Sequence, residues 1–170
     1  LAAGERADLS EIVADVVERM QDRAQHVETE IRFRARGHLL GRFDPRAIEI
    51  VIEHLIDNAL KYGDGAPVEV IAERAPGGAR VLVKDTGIGI EEADQERIFE
   101  KFERSVSSDH YGGLGLGLFI ARELVEAHGG TLGVNSERGR GAVFSIGFGA
   151  LWILSAALFW NSASEQAAKG

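Results

Sequence analysis

Val81-Leu82-Val83-Lys84-Asp85-Thr86-Gly87-Ile88-Gly89-Ile90 is the stretch on which the reading of the chain turns. Branched apolar residues mark a strand, which runs into an acid and then into a loop holding two glycines. Upstream, Val68–Glu73 reads as a second strand, joined to Arg80–Lys84 through the turn Ala75-Pro76-Gly77-Gly78. Before that pair, Asp44-Pro45 opens a helix, with the acid as cap and the proline in the first turn. It runs to Tyr62 and stops at Gly63-Asp64-Gly65. Val27, Thr29, Ile31 and Phe33 alternate with charged residues and predict another strand. Ile12, Val13, Val16, Val17 and Met20 recur at helical spacing over Leu9–Gln25, with Ser10 placed to cap. Downstream, Asp85–Tyr111 is mostly loop with a short helical piece over Glu92–Phe102. Leu116–His128 reads as a helix closed by Gly129-Gly130, and the strands Thr131–Ser136 and Ala142–Phe148 flank a turn at Glu137–Gly141. Helices mixed with hairpin-connected strands predict an α/β (α+β) two-layer sandwich, a mixed and mostly antiparallel sheet with helices on one face.

Length and composition narrow the function. The 170 residues, 45% of them apolar, suit one soluble domain with a core of its own. The formal charge of −8 argues against a groove that tracks nucleic acid. Cysteine is absent, so neither a disulfide framework nor a thiolate metal site is available. Glycine is in excess, with 21 residues, eleven of them between Gly112 and Gly149. Such enrichment in one half of a patterned domain marks backbone that approaches something closely.

Three segments carry candidate chemistry. In the helix Glu53-His54-Leu55-Ile56-Asp57-Asn58-Ala59-Leu60-Lys61-Tyr62, the residues Ile48, Ile52, Leu55 and Ala59 form one apolar stripe. His54, Asn58 and Lys61 fall within roughly 60° of one another on another side. An amide oxygen there suits Mg²⁺ and an ammonium suits phosphate, although a solvated helix face has the same composition. After the Val81–Lys84 strand, the Asp85 carboxylate is an acceptor only, matched to the 6-amino group of adenine and mismatched to the carbonyl of guanine. Gly87 and Gly89 let backbone pass close to a base, while a simple turn capped by Asp85 would read alike. Gly112-Gly113-Leu114-Gly115-Leu116-Gly117-Leu118 leads glycine-rich backbone into a helix N-terminus, an arrangement that favours phosphate. The spacing is neither the dinucleotide fingerprint nor the phosphate loop.

In this order and spacing the three segments resemble the N box and the two glycine boxes of the ATPase superfamily shared by DNA gyrase, histidine kinases and mismatch-repair ATPases. Ile98-Phe99-Glu100-Lys101-Phe102-Glu103-Arg104 resembles the F box of the kinase branch, and Ala127-His128-Gly129-Gly130-Thr131 and Ser136–Phe144 complete a kinase-like pattern. The resemblance spans roughly residues 9–148 and is to the ATP-binding catalytic domain of bacterial sensor histidine kinases, with a Bergerat-type fold.

The resemblance implies ATP and Mg²⁺ as cofactors. It makes Asn58 the Mg²⁺ ligand, sends Lys61 to phosphate, packs Tyr62 beside adenine and has Asp85 read the adenine amine. Gly87, Gly89 and Ile90 shape that pocket. Gly113, Leu114, Gly115, Leu116 and Gly117 close over the phosphates. Glu103–Tyr111 is the expected ATP lid, anchored by Phe99 and Phe102, with Arg104 at the γ-phosphate. His54 stands where these kinases usually carry Asn and hydrolytic relatives a Glu base, so His54, Asn58 and Arg104 are the catalytic candidates. Ala142 replaces a usual Thr.

The implied reaction moves phosphate from ATP to a histidine and then to an aspartate on a response regulator. None of His26, His38, His54, His110 and His128 is followed by the acid and proline that mark a phosphoacceptor. The expected partners are therefore a separate dimerisation and phosphoacceptor domain, reached through residues 1–25, and a response regulator. The parent is expected to be a homodimer attached to the inner membrane, with this domain cytoplasmic and no nucleic acid bound. Rival readings are an ATPase, an ATP-gated switch or a pseudokinase of the same fold, and an aspartic protease through Asp85-Thr86-Gly87. The last leaves Asn58, Lys61 and the second glycine loop without a task. Residues 149–170 form an apolar and then polar tail. Its run Ala150–Trp160 is shorter than the roughly 20 residues of a membrane span and is expected to dock or associate.

Overall fold

The computed structural model describes residues 5–101 and 115–149. The elements are β1 (Glu5–Asp8), α1 (Leu9–His26), β2 (Ile31–Arg36), β3 (Leu40–Phe43), α2 (Pro45–Tyr62), β4 (Val68–Ala75), β5 (Gly78–Lys84), α3 (Gly117–Ala127), β6 (Gly130–Ser136) and β7 (Ala142–Phe148), with 3₁₀ turns at Glu92–Asp94 and Arg97–Phe99. Five strands form one sheet in the order β2-β4-β5-β7-β6. Only β2 and β4 run parallel, and the path between them passes through α2, because a parallel pair needs a crossover. The hairpins β4–β5 and β6–β7 supply the antiparallel majority.

Alternation sets the layers. Val68, Val70, Ala72, Val81, Val83, Phe144, Ile146 and Phe148 point to one face and are buried there. The intervening Glu69, Arg80 and Lys84 lie on the other face. The three helices cover the apolar face. Ile48, Ile52, Leu55 and Ala59 of α2 are at most 1% exposed, as their stripe predicts, and α1 adds Leu9, Val13 and Val16. Phe43 and Phe148 meet edge to face at 5.2 Å. His128, at the C-terminal end of α3, accepts from the Asp44 N–H through Nε2 at 3.1 Å. Its Nδ1 therefore carries the proton and donates to the Leu124 carbonyl at 2.7 Å, which ties the end of α3 to the start of α2. No helix among the described residues is long and apolar enough to cross a membrane.

Three local expectations are corrected. The cap of α1 is Asp8 rather than Ser10. Asp8 Oδ1 accepts from the Ser10 N–H at 3.0 Å, and Ser10 already lies in the first turn. Strand β2 begins at Ile31 and not near Val27, because the N–H groups of Val27 and Thr29 close the end of α1 on the Ala24 carbonyl. The helical piece after Ile90 is two separate 3₁₀ turns. A two-stranded sheet of β1 and β3 was not anticipated. Its strands have four residues each and little apolar alternation, so the pairing exists only because α1 and α2 bring them side by side.

Candidate functional site

The C-terminal half of α2 and the end of β5 meet at one edge of the helix layer. Asp85 is 5% exposed, and its Oδ1 accepts from the Gly87 N–H at 2.9 Å and the Ala142 N–H at 3.3 Å. Its other oxygen, Oδ2, has no hydrogen bond among the described residues. Burial pushes the carboxyl above its ordinary value, against the pull of the two backbone donors. The loop after Asp85 is pressed onto α2. The Ile88 N–H donates to the Tyr62 carbonyl at 3.1 Å, and a Cβ on Gly87 would lie 1.7 Å from that same oxygen. Gly89 takes a positive φ of 67°, and a Cβ there would lie 2.0 Å from the Glu137 carbonyl oxygen. The Gly139 N–H donates to the Ile88 carbonyl at 2.7 Å, so the β6–β7 turn forms the loop's outer support.

His54, Asn58 and Lys61 share the half-buried side of α2. His54 lies against the start of α3, where a Cβ on Gly117 would be 3.1 Å from its Nδ1. Helix α3 follows Gly115, which has a φ of 66°, and its N-cap Leu116 offers no side-chain hydrogen bond. Its first N–H groups, beside His54, therefore receive no side-chain cap from the N-cap residue. Burial lowers the His54 pKa and Lys61 acts in the same direction, while Asp57 and Glu53 oppose them. Lys61 Nζ pairs with Asp57 at 2.6 Å, and Asp57 also pairs with Arg23.

A family model described as histidine kinase-, DNA gyrase B-, and HSP90-like ATPase matches residues 43–150, most of the chain. The chain belongs to this ATPase family. The signal transduction histidine-protein kinase BarA of Escherichia coli (strain K12) is 33% identical over 147 residues, which cover 82% of this chain and 16% of that relative. The structure of the mycobacterial sensor histidine kinase MprB superposes with a TM-score of 0.73 at 27% identity, covering 86% of this chain and 99% of that one. Full-length ShkA in complex with AMPPNP superposes with a TM-score of 0.74 at 31% identity, covering 88% of this chain and 32% of that one. The chain thus spans only a minor part of the curated relatives it matches.

In this histidine kinase-like ATPase domain, α2, the β5 end, the Gly87–Ile90 loop and the α3 start bring together His54, Asn58, Lys61, Tyr62, Asp85, Gly87, Gly89, Ile90, Gly115, Leu116 and Gly117. Phe102, Arg104, Gly113, Leu114, the segment Glu103–Tyr111 and the tail from Ala150 lie outside the described residues. Phe99 is buried edge to face on Phe144 at 6.3 Å. Ser136 and Gly141 fall in the kinase-like Ser136–Phe144 segment, but their hydrogen bond and its link to Ile90 and Gln95 were not legible in the sequence. Gln95 is an ordinary polar residue in a turn, with no local signal of its own.

The His54 shift has a consequence for stability. A folded imidazole held below its ordinary value takes up its proton later than the unfolded chain does. Stability attributable to His54 is therefore complete above the unfolded value of 6.5 and declines as pH falls below it. Urea unfolding at about pH 7.5 and about pH 5.5 should show a smaller loss of stability on acidification in His54→Asn than in the wild type. An equal loss in both would remove His54 from the account.

Proposed function

We infer that this domain binds Mg²⁺-ATP and donates the γ-phosphoryl group to a histidine on a separate dimerisation and phosphoacceptor domain, as the catalytic part of a sensor kinase in a two-component system. The observation that carries this reading is Asp85. One carboxylate oxygen is taken up by two backbone donors, while the other has no hydrogen-bond partner among the described residues. Family membership and the AMPPNP complex of ShkA support an adenine nucleotide as the group that completes it.

The residues present fit that group. Asp85 Oδ2 accepts from the adenine amine, and the backbone of Gly87, Gly89 and Ile90 forms the wall beside the base. The α3 start, with Gly115, Leu116 and Gly117, presents to phosphate oxygens N–H groups that Leu116 does not cap. Asn58 holds Mg²⁺ through its amide oxygen. When bound, the metal neutralises phosphate charge during transfer. Lys61 must leave Asp57 to reach a phosphate, and Arg23 stays behind to compensate that carboxylate. His54, uncharged at neutral pH, adds a donor or acceptor at the α3 end of the site. An aspartate of a response regulator is the onward acceptor, and the parent sits at a membrane with this domain on the cytoplasmic side.

Calorimetric titration with a non-hydrolysable ATP analogue, with and without Mg²⁺, tests the reading. The wild type should bind more tightly with Mg²⁺, and Asn58→Ala should lose that gain, about tenfold for one ligand bond to the metal. A wild type that binds no adenine nucleotide would end the proposal. Transfer from labelled ATP to an added phosphoacceptor domain then tests the reaction itself. Steady phosphate release that is abolished in His54→Asn would instead assign hydrolysis with His54 as base.

A further inference from the structure

We propose that Gln95 and Ser136 are positioning residues of the nucleotide site, together fixing the loop that carries its adenine-facing backbone. The inference rests on the nucleotide-binding reading above. Ser136 stands at the end of β6, where its Oγ accepts from the Ile90 N–H at 2.8 Å and donates to the Gly141 carbonyl at 2.6 Å. Gln95, in the bend between the two 3₁₀ turns, donates through Nε2 to the Ser136 carbonyl at 2.7 Å and the Ile90 carbonyl at 3.3 Å. Two carbonyl acceptors fix the orientation of the amide, because only its NH₂ end can satisfy both.

The geometry explains why this link bears on the ligand. Gly141 lies directly on Asp85, since a Cβ there would come within 2.2 Å of the Asp85 carbonyl. Ala142, the next residue, supplies one of the two N–H groups that hold Asp85 Oδ1. Ser136 therefore joins the far end of the Gly87–Ile90 loop to the turn that locks the adenine-reading carboxylate. Gln95 closes the same joint from the opposite side, both of its bonds converging on backbone. A loop whose wall must meet a flat base within a few tenths of an ångström gains affinity when it is held before the ligand arrives. Neither side chain needs to touch the nucleotide.

The test is calorimetric titration of the full chain with a non-hydrolysable ATP analogue at about pH 7.5, with unfolding midpoints measured in parallel. Gln95→Ala and Ser136→Ala should each weaken binding about tenfold, and the double variant should lose much less than the product of the two. Ser136→Thr keeps the hydroxyl and should retain most of the affinity. Gln95→Glu should be weaker than Gln95→Ala, because a carboxylate would face two carbonyl oxygens, and it should recover as pH is lowered and the carboxyl protonates. The inference is overturned if the wild type binds while Gln95→Ala and Ser136→Ala bind equally well. It is likewise overturned if Gln95→Glu matches Gln95→Ala at every pH, or if affinity falls only in proportion to the unfolded fraction. A wild type that binds no adenine nucleotide sinks this inference together with the reading it rests on.

Discussion

Asp85→Asn should weaken binding of an ATP analogue by about 100-fold or more while leaving the unliganded domain no less stable. The two effects separate because the carboxylate divides its work between two oxygens. Oδ1 is held by the N–H groups of Gly87 and Ala142. An asparagine must therefore keep its carbonyl oxygen in that position, which puts its NH₂ where Oδ2 was. A donor would then face the adenine amine, another donor. The loss includes a charge-assisted hydrogen bond, about 1.5–3 kcal/mol, and the cost of two opposed donors. The same NH₂ matches the guanine carbonyl, so the preference for adenine over guanine nucleotides should narrow or invert.

Stability follows the other sign. Burial raises the Asp85 pKa, so its stabilising contribution is fully present below the unfolded value of 3.8 and is lost as pH rises through the folded value. Once ionised, the buried carboxylate costs the unliganded fold relative to its protonated form, and the neutral amide avoids that cost. Titration calorimetry and thermal unfolding on the same preparation check both halves. Retained ATP affinity with adenine preference intact would remove Asp85 from base recognition.

Gly87→Ala should destabilise the domain by about 3 kcal/mol or more, the upper end for overpacking, and abolish nucleotide binding with it. The added Cβ would lie 1.7 Å from the Tyr62 carbonyl oxygen and 2.6 Å from the Gly63 Cα. Both obstacles are backbone, so no rotamer change relieves them. Loop and helix must move apart, which breaks the Ile88–Tyr62 hydrogen bond. Gly139→Ala is the control, because its Cβ would meet nothing within 4 Å and only its φ of 79° is penalised. That strain costs about 1–2 kcal/mol. Urea unfolding of both variants should place Gly87→Ala clearly below Gly139→Ala, and the reverse order would show that the loop is not clamped on α2.

Much of this molecule is written locally in the chain. The stripe Ile48-Ile52-Leu55-Ala59 fixes which side of α2 is buried, so His54, Asn58 and Lys61 are placed by 3.6-residue periodicity alone. Strand alternation in Val68–Ala72 and Val81–Val83 fixes the inner face of the sheet, and Asp44-Pro45 fixes where α2 begins. These are short-range effects, decided by a residue and its neighbours within a turn or a pleat. Contacts between distant segments are not encoded that way. The β1–β3 pair joins residues about 35 apart with no pattern of their own, and the Asp8 carboxylate that caps α1 also accepts from the Leu39 N–H, 31 residues away. The division of labour within Asp85 requires Ala142, 57 residues away, and the joint made by Gln95 and Ser136 spans 41. The sequence by itself determined the helices, the main strands of the five-stranded sheet, their buried faces and the candidate chemistry on α2 and after β5. Only the tertiary structure decided which backbone groups hold that chemistry in place, because a hydrogen bond between remote segments depends on how the whole sheet and its helices pack.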